Sequence, residues 1–235
     1  MKSINLITWP TIGYLLGGAG LTCLLVAGGL GLGLGLGLGL AALQVYGPRR
    51  AAALVGLYAW FFRGVPILVL MFLFHFGLVS WLEELVRACF NYRLRIPALA
   101  SAVVVLGLCS GAYQSQIFRG AMLSIPAGQF RAARALGLTG TQAILSIILP
   151  QALRLSIPAW SNEYSILLKD SAIAYVIGVT EIMARFKAVA STNYQYLLMY
   201  SLAGLVYYFL TAVGVRLLLS LYDRVRWPGL AERAD

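Results

Sequence analysis

The sequence predicts an all-α membrane protein with about five crossing helices, its N-terminus outside and its C-terminus in the cytoplasm. Three observations carry that prediction. The composition is 60% hydrophobic and 11% charged. Several apolar runs reach or pass the ~20 residues that a helix needs to cross ~30 Å of hydrocarbon. Short segments between those runs hold most of the cations. An ordinary soluble domain carries about 25% charged residues, so a bilayer suits this chain better than water.

The first run, Ile12–Val45, is too long for the core of a cleaved signal peptide and is read as retained. Its stretch from Gly28 to Leu40 alternates Gly and Leu. In water that period reads as a strand, but in lipid a lone segment satisfies its own backbone only as a helix. Wound as a helix, Gly29, Gly33 and Gly37 form one row. Gly31, Gly35 and Gly39 form another, about 200° round. Two such rows let two neighbours approach closely. Gly47, Pro48, Arg49 and Arg50 then end the run with a turn and two cations.

The second span is expected over Ala51–Val79. From Leu78 to Tyr92 the apolar residues Trp81, Leu82, Leu85 and Val86 are interleaved with Glu83, Glu84 and Arg87, which predicts a helix lying at the external surface. Ile96–Phe118 is the third span, Leu155–Val179 the fourth and Tyr196–Leu221 the fifth. The segment between the third and fourth, 124–150, is too polar to cross.

Placing Arg49 and Arg50 inside the cell also places Arg131, Arg134, Arg224 and Arg226 inside. Arg87, Arg93 and Arg95 then fall outside, against the bias, partly balanced by Glu83 and Glu84. Arg185 and Lys187 share that side. The expected organisation is an external segment 1–11, a membrane domain 12–223 and a cytoplasmic tail 224–235.

The net charge of +10 belongs to this topology rather than to nucleic acid, because no basic patch interleaved with aromatics accompanies it. Cys23, Cys89 and Cys109 show no metal-ligand spacing, and His75, the single histidine, lies among Met71, Phe72, Phe74 and Phe76 as a packed ring. No metal site is expected. Nor is an enzyme: there is no His-Glu-x-x-His and no Gly-x-Ser-x-Gly. None of the three lysines, Lys2, Lys169 and Lys187, sits in a phosphate-cradling glycine loop.

Within 124–150, Ala132 and Ala133, then Gly137, then Ile147, Leu149 and Pro150 keep one fixed spacing. It resembles the cytoplasmic loop of permease subunits of ATP-binding-cassette importers, Glu-Ala-Ala, three residues, Gly, nine residues, Ile-x-Leu-Pro, with Arg131 in place of the Glu. Phe62-Arg63-Gly64-Val65-Pro66 is similar to the Phe-Arg-Gly-Thr-Pro of the polar amino-acid branch of that family. Ser110-Gly111-Ala112-Tyr113, Ile117 to Ala121, Ser124-Ile125-Pro126, Gly128-Gln129, Asn162 and Leu167 to Ser171 resemble the same branch.

The resemblance implies the type I importer permease fold, in the bacterial inner membrane, with a loop of two short helices seated on a nucleotide-binding subunit. Gln129, Arg131, Ala132, Ala133, Leu136, Gly137, Ile147, Leu149 and Pro150 would form the coupling segment. Ala132, Ala133, Ala135 and Leu136 would be its apolar face, and Gly137 its helix-ending turn. Arg131 leaves that face intact but removes or inverts any charge pair that the family Glu makes.

The implied partners are two copies of the ATPase subunit, a second permease that is a copy or a paralogue, an extracytoplasmic amino-acid-binding protein, and an amino acid as cargo. ATP and Mg would be bound by the ATPase, and this chain would hold no cofactor.

Ionisable groups inside a span are costly and therefore functional candidates. Seven residues turn a helix by about 700°, so Asn162 and Lys169 share one face, and Glu163 and Asp170 another about 80 to 100° away. Glu163 and Asp170 suit an ammonium or cationic side chain, and Lys169 or Arg63 a carboxylate. Tyr113, Gln114 and Gln116 add hydroxyl and amide groups to the third span, of which Tyr113 and Gln116 are taken as candidates. Each charge has a structural reading beside this one: Lys169 paired with Asp170 or Glu163, and Arg63 in an interhelical pair. A separate alternative is a secondary transporter using Glu163, Lys169 and Asp170 as an ion-coupling relay, which inverted repeats with broken helices would favour; none is seen.

Overall fold

The computed structural model describes residues 9–225. Most of the segment 1–11, most of the tail 224–235, and Arg226 with it, lie outside the described residues. Within them the chain is helical throughout and has five helices long and apolar enough to cross a membrane. In chain order the elements are α1 (Trp9–Tyr46) and α2 (Arg49–Gly64), α3 (Ile67–Phe90), α4 (Ala98–Ser124) and α5 (Ala127–Ala135), α6 (Gly140–Ile177), then α7 (Ile182–Asn193) and α8 (Tyr196–Val225).

α4 is the axis of the bundle: 61% of its most apolar stretch is buried, against 11% for α3 and 6% for α8. The glycines of α1 explain part of this enclosure. A Cβ at Gly29 would lie 3.1 Å from the Leu106 side chain, and one at Gly37 2.8 Å from that of Gln114. Bare backbone on α1 thus lets the two longest-packed helices close up. The second row behaves otherwise: Gly31, Gly35 and Gly39 meet nothing within 4 Å. The expectation of two close neighbours holds for one row only, because among the described residues no helix lies against the other face.

The second span departs from expectation. Ala51–Val79 is not one helix: Val65 is extended at φ −88, ψ 130, and the chain restarts after Pro66. Proline forces this, since it lacks an N–H and disfavours the helical region for the residue before it. Phe62 and Val65 pack on the same core as Leu70 and Met71, so the break lies inside the bundle. The freed groups are re-satisfied locally, with Val65 N–H donating to the Phe61 carbonyl at 3.0 Å and Val69 N–H to that of Pro66 at 2.9 Å. The expected separate surface helix over 78–92 is instead the continuation of α3, which runs unbroken to Phe90 through a widened turn at Leu73–Val79. In that turn His75 Nδ1 lies 3.0 Å from Ser101 Oγ.

α6 contains a second widened turn, Ile144–Ile148, where Leu149 N–H reaches back to the Ile144 carbonyl. The cause is Pro150, whose ring cannot fit over an ordinary turn. The fourth span therefore begins inside 124–150, and α5 is the one separate short helix of that segment, where the resemblance implied two. At the other end of the bundle, Glu181 accepts N–H groups of Met183 and Ala184 at 2.8 Å and the Tyr207 hydroxyl at 2.6 Å. Ile182 N–H adds a bond to Thr22 Oγ1 at 3.3 Å. These contacts tie α7 to α8 and to α1 at Thr22.

Candidate functional site

Three helices meet at one buried polar chain. From α6, Glu163 is 3% exposed and its Oε1 accepts the Ser110 hydroxyl of α4 at 2.6 Å. Gln114, one turn on, donates to Ser110 Oγ at 2.9 Å and to the Leu30 carbonyl of α1 at 3.2 Å. Its own carbonyl oxygen accepts Trp160 Nε1 at 2.7 Å. A charge in a span needs such partners, because unsatisfied polar groups are costly away from water. The space exists because Gly33 faces Ser110 and Gln114: a Cβ there would lie 3.0 Å from Ser110 Cβ.

The remaining candidates are distributed around this chain rather than gathered at it. Asp170 is half-buried, two turns beyond Glu163. Asn162 and Lys169 are exposed on the neighbouring face, as the helical spacing predicts. A polar face within a span is not a lipid face, so it addresses water or another helix. The Arg63 guanidinium stands 5.1 Å from the ring centre of Tyr113, a cation–π pair between α2 and α4. Gln116 donates to Gln44 Oε1 at 3.0 Å and to Ser115 Oγ at 3.1 Å, toward the end of α1. Glu163 thus engages Ser110 rather than Lys169, and Arg63 engages Tyr113 rather than either carboxylate.

Ser110, Trp160 and Gln44 are the residues that sequence reasoning did not select, and Gln114 is the one noticed but passed over. A signal for two of them exists: Ser110 and Gln114 are four apart, on the same helical stripe as glycines of α4.

At the opposite end from α7, the segment 124–150 forms an elbow. α5 stops in a Schellman turn: Leu138 N–H donates to the Ala133 carbonyl at 3.2 Å and Gly137 N–H to that of Arg134 at 3.1 Å. Gly137 sits at φ +88, a conformation natural to glycine. Thr139 then opens α6 with a reciprocal cap, accepting from Gln142 N–H at 3.2 Å while its own N–H reaches Gln142 Oε1 at 2.8 Å.

One face of α5 is anchored. Gln129 accepts from Gln151 Nε2 at 2.6 Å, Phe130 stacks on Tyr46 at 5.0 Å, and Ala133 is buried against the core. The other face, Gly128, Arg131, Ala132 and Ala135, is exposed and leads to Leu136, which is 81% exposed. The expected apolar face is corrected on one residue: Ala133 points inward, since it lies about 100° from Ala132. Ile147 and Leu149 are half-buried in the widened turn region, and Pro150 is exposed.

The model of the binding-protein-dependent transport system inner membrane component family matches residues 29–227. The chain is 39% identical over 168 residues to the probable amino-acid permease protein YxeN of Bacillus subtilis, 72% of this chain and 71% of that one. It is 33% identical over 218 residues to the glutamine transport system permease protein GlnP of Escherichia coli, 93% of this chain and 95% of that one. Its structure is similar to a crystal structure of an amino acid ABC transporter with histidines, at 28% identity and a TM-score of 0.78, covering 96% of this chain and 100% of that one.

Proposed function

Because the chain belongs to the binding-protein-dependent transport system inner membrane component family, we propose that this permease carries polar amino acids, basic ones among them, inward by alternating access driven by a separate ATPase. It is a multi-pass membrane protein and a permease component of an amino-acid ABC importer. In this reading two permease chains, copies or paralogues, stand in a bacterial inner membrane on two ATPase subunits. Those subunits bind ATP and Mg, and an external binding protein delivers the cargo.

The observation that carries the reading is the elbow. A helix anchored on one face by Gln129, Phe130 and Ala133, and open on the other, ends at an exposed Leu136. A single exposed Leu is ordinary, but a low-relief helix face leading to one supports seating in a groove of another protein. A push on α5 would reach α6 directly through the Gln129–Gln151 bond. α6 bears Glu163, Asn162, Lys169 and Asp170, so movement of the elbow would reorient the candidate cargo face. Glu163 and Asp170 would draw the cationic part of the cargo, with Lys169 favouring its carboxylate. Tyr113 with Arg63, and Gln116, would line the route toward the cytoplasm.

Uptake into proteoliposomes tests this reading. Arginine, histidine or glutamine should accumulate only when the ATPase subunit, ATP and this chain are all present. Accumulation by this chain alone on an ion gradient would instead favour the ion-coupled alternative and overturn the proposal.

A further inference from the structure

We propose that the chain holds a binding site for the headgroup of an aminophospholipid in a cavity between the last turns of α3 and the segment leading to α4. The cavity is an open cleft of about 420 Å³, lined by Ser80, Glu83, Glu84 and Arg87 on α3 and by Arg93, Leu94 and Arg95 opposite. Residues 80, 83, 84 and 87 recur at i, i+3, i+4 and i+7, so they form one stripe of the helix. The walls are fixed relative to each other, because Glu83 Oε1 accepts the Ile96 N–H at 2.6 Å. With one oxygen of Glu83 engaged in this way, the exposed Glu84 is the carboxylate presented to a ligand.

Position argues for a lipid. The 27 residues of α4, ~40 Å of helix, separate this cavity from the elbow, which puts it at the opposite membrane surface. None of residues 80–90 is buried in the bundle. The other side of the same turns exposes Trp81 and Leu85, and Phe90 and Tyr92 follow, 77% and 63% exposed. Aromatic side chains of this kind settle at headgroup level.

Three arginines at the external surface run against the inward bias of cations, and a lipid phosphate supplies the anion that they match through charge-assisted hydrogen bonds. The carboxylates match a primary ammonium. A headgroup carrying both, as in phosphatidylethanolamine, meets both walls, whereas a choline headgroup has no N–H to donate. A free amino acid bears the same pair of charges, so the test separates the two sources.

Native mass spectrometry of the purified full chain, offered dioleoyl phosphatidylethanolamine or dioleoyl phosphatidylcholine, reads the site. The chain should retain the ethanolamine lipid up to about fivefold more than the choline lipid, as suits the loss of one solvent-exposed ion pair. Arg93→Gln with Arg95→Gln should lower retention of both lipids. Glu84→Gln should abolish the preference and leave the choline lipid as it was. All three positions are exposed, so the variants should fold. Equal retention of the two lipids by the unaltered chain, or a preference that survives Glu84→Gln, overturns the proposal. Displacement of the lipid by free glycine in large excess also overturns it, in favour of a solute vestibule.

Discussion

Ser110 and Glu163, 53 residues apart in sequence, are joined by a hydroxyl-to-carboxylate hydrogen bond of 2.6 Å inside the bundle. That bond links the most enclosed helix to the helix that continues from the elbow. It also leaves one carboxylate oxygen that no hydrogen bond occupies among the described residues.

Glu163→Gln keeps an oxygen for Ser110 and removes the charge, so it separates the two roles of the residue. A hydrogen bond to a charged group contributes about 1.5–3 kcal/mol, so arginine uptake should fall about tenfold or more while glutamine uptake falls far less. Proteoliposome uptake of the two amino acids measures this. Equal loss for both would mark Glu163 as structural.

The two glycine rows of α1 make opposite predictions. Gly37→Ala puts a Cβ 2.8 Å from Gln114 Cβ, and overpacking of this kind costs roughly 1–3 kcal/mol. Gly35→Ala meets nothing within 4 Å and replaces a poor helix former, a gain of up to about 1 kcal/mol. Thermal unfolding of the isolated chain in detergent should therefore move down for the first and stay or move up for the second. A drop for Gly35→Ala in the transporter complex alone would place a partner helix on that row.

Gly137→Val tests the elbow's shape while leaving Ala132, Ala135 and Leu136 in place. The position has φ +88, and a β-branched residue held there is strained by about 1–3 kcal/mol. The Schellman turn should open, and ATP-driven uptake should fall while the amount of chain in the membrane stays level. Immunoblotting of membranes beside the uptake assay checks both halves.

Much of this was legible from periodicity. Apolar runs located the first, third and fifth spans to within a few residues because lipid forces backbone groups to pair within a helix. The shared face of Asn162 and Lys169, and the other of Glu163 and Asp170, followed from the helical repeat. What periodicity cannot say is which face points inward. That is why Gln116 was chosen over Gln114, and why Ala133 was placed on the outer face of α5.

The break at Pro66 was hidden for a different reason. The surrounding residues are apolar on both sides, and hydropathy has no sensitivity to a missing N–H. The open row of Gly31, Gly35 and Gly39 reflects a limit of another kind, since nothing among the described residues lies within 4 Å of it.

Leu136→Asp gives the most direct test of the central claim, that this chain is driven by a separate ATPase through its elbow. Leu136 is 81% exposed, so a charge there should leave the fold intact and spoil only an apolar seat. The ATPase subunit should cease to co-purify with the variant, and ATP-driven uptake should drop to the level seen without ATP. Co-purification and uptake equal to those of the unaltered chain would contradict the account.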